Sequence, residues 1–281
     1  MLFKSQEGKI AILKLYNQKL QNLCIEYSEK LVETQFGTTN VIITGDSELP
    51  PLVLIHGTGG CAPLMLESFS ELSNHYCVYA VDVLAQPNKS DENRLDMKTL
   101  DYGQWLLEVI IKLRLKEVTL VGFSFGGLIS LKALEFSEIP IKEVYLIAPV
   151  YIVNGNPLLG LFKMLMPLKK FIKTNNQRYI KKVMNVLFSE YDDFALTFMS
   201  STFQYCNMDF SPLPVISKRN AENIVTPITI FAGENDIMFP GKKMLKRAKR
   251  IFPSLKEVVL IEGSKHVPNS KDFRAIEHSI K

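Results

Sequence analysis

Three side chains in this sequence could together draw a proton from a hydroxyl: Ser124, His266 and Asp236. A serine hydroxyl is a poor nucleophile near neutral pH, so it needs a base within hydrogen-bonding reach and a third group to fix the base's tautomer. Ser124 stands in Gly122-Phe123-Ser124-Phe125-Gly126, between the apolar run VTLV and a helical pattern from Gly127-Leu128-Ile129. Strand, sharp turn and helix in that order would hold the hydroxyl clear of a sheet, at a helix amino end that favours developing negative charge. Glycines two positions either side let strand and helix approach closely.

The base has four candidates, since the chain contains four histidines. His278 lies in a polar tail, His75 in a polar turn, and His56 beside the glycines of another loop. His266, in Gly263-Ser264-Lys265-His266-Val267-Pro268, follows the last strand pattern, where a parallel sheet presents its functional loops. The acid is expected after a strand between serine and base, and Gly233-Glu234-Asn235-Asp236 follows ITIFA. Asp236 is preferred to Glu234 because it lies further into the loop, and Pro149–Asn156 contains no carboxylate to compete. The bland alternative for Asp236 is a turn carboxylate bonded to its own backbone. An oxyanion would need two backbone N–H donors. Phe125 supplies one, and His56-Gly57-Thr58-Gly59-Gly60 the other, with Thr58 first and Gly59 second.

These loops need a sheet to carry them. Leu52–Ile55, Cys77–Val81, Val118–Val121, Val144–Ala148, Ile228–Ala232 and Val258–Ile261 are apolar without alternation, as in strands buried on both faces. Ahead of them, Leu13, Tyr16, Leu20, Leu23 and Tyr27 describe an amphipathic helix over about residues 5–29. Lys30–Phe36 and Asn40–Thr44, separated by Gly37-Thr38-Thr39, read as a hairpin. The fold class is therefore α/β: a mostly parallel, doubly wound sheet with an amino-terminal antiparallel hairpin. Its core spans about residues 30–149 and 226–281. Residues 150–225 hold helical patterns rich in Leu, Met, Phe and Lys, which read as an inserted cap on a single domain. Phe162, Met164, Leu165, Met166, Phe188 and Phe198 could line an apolar acyl pocket with His56 and Phe123, though packing of the cap explains the cap residues equally well.

Length and composition suit such a domain: 281 residues lie near the size at which single cores stop growing, roughly 250–300 residues. A formal charge of +4 gives no reason to expect a nucleic-acid partner. The basic stretch Lys242–Arg250 carries Met244, Leu245 and Ala248 at helical spacing, the pattern of an amphipathic helix with solvated charges. Cys24, Cys61, Cys77 and Cys206 form no CxxC pair, so neither a metal site nor a redox pair is indicated. No apolar run reaches the roughly 18–20 residues of a membrane span, and the amino terminus lacks the pattern of a secretory signal. The expectation is a cytoplasmic protein without stable membrane insertion.

Together, the HG loop, the G-x-S-x-G turn, Gly233-Glu234-Asn235-Asp236 and Gly263-Ser264-Lys265-His266 resemble the α/β-hydrolase superfamily, whose chain order is serine, acid, histidine. The likeness runs from Asn40 to the carboxyl terminus. Asp82 to Ser90 looks like the family's D-x-x-G-x-G-x-S loop, with Ala85 and Pro87 in place of the usual small residues, and Phe123 stands where relatives often carry His. The resemblance implies a carboxylesterase-like serine hydrolase with a helical cap, no cofactor and no metal. Acyl transfer to Ser124 from a small ester-like substrate would precede hydrolysis. Two other readings stay open. Gly57-x-Gly59-x-x-Ala62, with Asp82 ending the next strand, is a passable dinucleotide fingerprint and would imply a nicotinamide-dependent oxidoreductase. Alternatively, the fold could serve as a ligand sensor or regulatory protein that turns over slowly or not at all.

Overall fold

The computed structural model describes residues 1–136 and 141–281. Eight strands form one sheet: β1 (Ser28–Thr34), β2 (Gly37–Thr44), β3 (Pro51–Ile55), β4 (Cys77–Val81), β5 (Val118–Phe123), β6 (Ile141–Ile147), β7 (Ile228–Gly233) and β8 (Leu255–Ile261). Their order is β1-β2-β4-β3-β5-β6-β7-β8. Strand β2 pairs antiparallel with both β1 and β4, and all other neighbours are parallel. All six apolar runs are parallel strands.

Both faces of the central strands are covered, which explains their unbroken apolar runs, whereas the edge strands β1 and β8 stay partly open to solvent. Within β3, Val53 and Ile55 join a core with α3 (Asp101–Lys112), α4 (Phe125–Phe136) and α10 (Gly241–Ile251). Leu52 and Leu54 face the opposite core, with α1 (Gln6–Asn22), α2 (Ala62–Ser68) and α11 (Ser270–Ile280). Successive strand side chains point to opposite faces, so a strand between two helical layers must be apolar at every position. Helix α10 buries Met244, Ala248 and Ile251 and leaves its lysines outside.

The amino-terminal elements depart from their expected boundaries. Helix α1 stops at Asn22, because Cys24 turns left-handed at φ 51° and Ser28 already enters β1. The hairpin turns at Gln35-Phe36, with Thr34 opposite Gly37. Gly37 takes φ 133°, and Thr38 and Thr39, expected in the turn, extend the second strand against Glu33 and Val32. Between β6 and β7 lie α5 (Pro157–Gly160), α6 (Met166–Thr174), α7 (Gln177–Leu187), α8 (Asp193–Tyr205) and α9 (Lys218–Glu222). Helices α6, α7 and α8 share their own small core around Leu168, Phe171, Ile180, Met184 and Phe203. No helix among the described residues is long and apolar enough to cross a membrane.

A buried polar knot fastens α1 to the sheet. The Asp82 carboxylate at the end of β4 accepts from Tyr16 Oη at 2.8 Å, Asn40 Nδ2 at 3.0 Å and the Ala62 N–H at 2.8 Å. Its acceptor sites are therefore turned to the fold and to the start of α2. Burial pushes its pKa up to about 6, against the opposing pull of those donors. A carboxyl whose folded-state value lies above its unfolded value of about 3.9 adds stability that is full below that value and is lost as pH rises through about 6. The stability of wild type relative to Asp82→Asn is therefore expected to fall by about 1–3 kcal/mol from pH 4 to pH 7. Urea unfolding midpoints at the two pH values test this, and a constant difference would refute it.

Candidate active site

Ser124 sits where β5 turns into α4, with its backbone at φ 52°, a region that side chains other than glycine adopt at a cost of about 1–2 kcal/mol. Neighbouring glycines make the turn possible. A Cβ on Gly122 would meet Gly126 O at 2.6 Å, and one on Gly126 would collide with Ile55 O of β3. The Ser124 N–H donates to Ile147 O at 2.9 Å, and Ser124 O accepts from Val150 N at 3.0 Å. The strained residue is thus bonded to the neighbouring strand β6 and the loop after it.

Two loops from distant parts of the chain meet this hydroxyl. His266 Nε2 lies 3.0 Å from Ser124 Oγ, and His266 Nδ1 lies 2.8 Å from Asp236 Oδ2. With Nδ1–H donating to the carboxylate, Nε2 is left to accept from the serine O–H. The other carboxylate oxygen, Asp236 Oδ1, accepts from Met238 N at 2.7 Å and Phe239 N at 3.0 Å. Asp236 is therefore both the loop's own turn carboxylate and the partner of His266. Glu234 points away, held by Lys242 at 2.8 Å. The rings of Phe123 and Phe239 flank the imidazole, with centroids 5.5 Å and 5.3 Å away. His75 and His278 are exposed and take no part.

The loop after β3 supplies the remaining polar groups. His56 is fully buried, with Nδ1–H donating to Gly57 O at 2.8 Å and Nε2 accepting from Val83 N at 2.9 Å. Burial lowers its pKa to about 4, so the ring stays neutral and shapes the loop as a fixed strut. Of the two donors expected here, Gly59 is a correction: its N–H donates to Gln86 Oε1 at 2.8 Å. The Thr58 N–H finds no acceptor among the described residues, and the Phe125 N–H opens α4, where helix donors have no intrahelical partner.

Ser124, His266, His56, Thr58 and Gly59 line a cleft of about 550 Å³ beneath the helical insertion. His56, Phe123, Phe188 and Phe198 border it as expected, together with Leu187, Met199 and Phe273. Phe162 and Met166 are corrections. Both project outward, at 63% and 41% exposure, because Leu168 and Phe171 occupy the inward face of that helical stretch. The insertion is stitched to the loop carrying His266: Val267 N donates to Leu187 O at 2.9 Å, Ser189 N to Val267 O at 2.9 Å, and Lys265 N to Ser189 Oγ at 2.9 Å. Helix α8 lies over the glycine loop, with Met199 and Thr202 beside Gly59.

Gln86, Phe239 and Ser189 escaped the sequence reading. Gln86 had a visible signal, a polar residue in the run Val83-Leu84-Ala85, but its partner is set by how the loop folds. Ala85 there takes φ 54°, a left-handed residue that sets the path of the loop.

Residues 50–194 match the family described as the alpha/beta hydrolase fold, and the chain belongs to that family. It is 29% identical over 143 residues to the Bacillus subtilis (strain 168) protein named "Uncharacterized carboxylesterase nap", a match covering 51% of this chain and 48% of that relative. It is 30% identical over 127 residues to "Carboxylesterase YbfK" of the same organism, covering 45% and 43%. The sequence matches thus span about half, or less, of these curated relatives' length. Among solved structures, naproxen esterase from Bacillus subtilis superposes with a TM-score of 0.86 at 21% identity, over 99% of this chain and 98% of that one. Carboxylesterase CesB (YbfK) from Bacillus subtilis superposes with a TM-score of 0.84 at 19% identity, over 98% and 97%. At such identities the superpositions establish the shared fold.

Gln86→Ala is expected to destabilise the protein by about 1–3 kcal/mol, because it leaves the buried Gly59 N–H without an acceptor. Chemical denaturation measures this, and a loss below about half a kcal/mol would mean that water replaces the amide.

Proposed function

We propose that this protein is a serine hydrolase that cleaves small or medium acyl esters, with Ser124 as nucleophile, His266 as general base and acid, and Asp236 as the residue orienting His266. The observation that carries the reading is the unbroken chain from Asp236 Oδ2 through both His266 nitrogens to Ser124 Oγ, at 2.8 and 3.0 Å, opening on the cleft. His266 Nε2 takes the hydroxyl proton as Ser124 Oγ attacks the ester carbonyl. The oxyanion that forms is held by the N–H groups of Phe125 and Thr58. His266 then protonates the departing alkoxide, leaving an acyl group on Ser124, and a water activated by the same imidazole releases the acid. Nothing in this sequence of steps calls for a metal or a cofactor.

Carboxylester substrates are favoured by the carboxylesterase names of the relatives and by the apolar wall of Phe123, Phe188, Phe198 and Met199. The helical insertion serves in this reading as a cap over an acyl pocket. A dinucleotide cofactor has little support, since the Asp82 carboxylate already holds three buried donors where a ribose would need it.

A fluorophosphonate probe is expected to label Ser124, located by peptide mapping, and a panel of short p-nitrophenyl esters to be hydrolysed. Ser124→Ala and His266→Ala should each lower kcat by at least about 10⁴-fold. Asp236→Asn should cost a comparable factor by stabilising the wrong imidazole tautomer, whereas Glu234→Gln should leave kcat within about twofold. Label on another residue would overturn the site, and no turnover of any ester by wild type would favour the sensor reading.

A further inference from the structure

The helical insertion carries a surface that the chemistry at Ser124 does not use. Between Val144 and Ser189 the sequence has seven basic residues and no acidic one, although the whole chain is nearly balanced at 33 basic to 29 acidic. In the fold, this charge gathers beside exposed apolar side chains. Helix α5, a π-helical turn at Leu161–Leu165 and α6 run on as one rod, since Gly160, Leu161, Leu165 and Met166 all keep right-handed helical dihedrals. Leu168 and Phe171 point inward, to the insertion's own core. Along the outer side, Leu158 and Phe162 stand 65% and 63% exposed, followed one turn on by Met166. The stripe then turns basic: Lys169, Lys170 and Lys173 are all exposed at helical spacing from Met166. Lys163 lies beside Phe162, and the adjoining α7 adds exposed Arg178, Lys181 and Lys182.

Single exposed apolar residues are ordinary, but a contiguous apolar stripe bordered by cations of one sign is the pattern of a helix lying in a lipid interface. Lysine stems can lie along the acyl boundary while their ammonium groups reach the phosphates. We propose that this face docks the protein peripherally on an anionic lipid membrane, with Leu158, Phe162 and Met166 entering the interface and the lysines pairing with lipid headgroup phosphates. Charge complementarity selects this occupant. Every ionised group on the segment is positive, and an anionic bilayer offers both a negative surface and an apolar interior. A second copy of the chain would set the same seven cations against themselves. Docking does not depend on Ser124 being a nucleophile.

Flotation with phosphatidylcholine vesicles, with and without phosphatidylglycerol, tests the proposal on the full chain, for wild type and Ser124→Ala alike. Both are expected to float with the anionic vesicles at low salt and to be released by high salt. Each lysine removed should weaken binding about fivefold, so Lys169→Gln/Lys170→Gln/Lys173→Gln should lose on the order of a hundredfold. Leu158→Ser/Phe162→Ser should lose at least about tenfold through the apolar contribution. Both variants change exposed positions only, and thermal melting checks that they remain folded. Failure to float, equal binding to neutral vesicles, or binding unchanged in both variants would overturn the proposal. So would equal affinity for soluble polyglutamate with no effect of Leu158→Ser/Phe162→Ser, which would mark an acidic protein partner. A dimer in sedimentation velocity that Phe162→Ser disperses would show instead that the face joins two copies.

Discussion

Everything at this site depends on one backbone contortion, the left-handed turn at Ser124. A serine with φ 52° is unfavourable by itself, and the fold keeps it only because the surroundings leave the chain no other path. Strand β5 must hand over to α4 within one residue, and Gly122 and Gly126 allow the two elements to touch each other and β3. The consequence is a hydroxyl raised from the sheet toward the cleft, beside helix N–H groups left unpaired by the same turn. Loosening any of those contacts would let Ser124 relax into the helix and carry its oxygen away from His266.

The second constraint is the anchoring of His266. His266 sits on a loop, where a side chain could easily wander. It is held by Asp236 on one side, between the rings of Phe123 and Phe239, and by main-chain bonds from Val267 to Leu187 and Ser189 of the helical insertion. The insertion therefore does more than roof the cleft, since its turn between α7 and α8 fixes the loop that carries the imidazole. On the opposite wall, α8 presses on the glycine loop, which Gln86 and neutral His56 shape from below. Both walls of the cleft thus rely on contacts between core and insertion.

Much of this was legible in the residues. Period-two patterning has no place in a strand covered on both faces, so the apolar runs announced a parallel sheet, and all six proved to be strands of it. Ser124, Asp236 and His266 could be picked out because each lies just past a strand, and parallel strands present their carboxyl ends on one edge. Orientation was not legible where a helix has two faces. Phe162 and Met166 look like pocket residues by type, yet the rod they belong to turns Leu168 and Phe171 inward and leaves them outside. Nor could the hairpin be placed, because Gly37 fits a turn and a strand start equally well.

The sequence alone determined the order of elements, the parallel sheet and the identity of the three residues that meet at its edge, because apolar periodicity and turn chemistry are local properties. Tertiary structure alone decided that Gln86 takes the Gly59 N–H, which phenylalanines face the cleft and which face solvent, and that Ser189 bonds the loop carrying His266. Those outcomes depend on contacts between residues far apart along the chain, whose geometry is fixed only when the whole core packs.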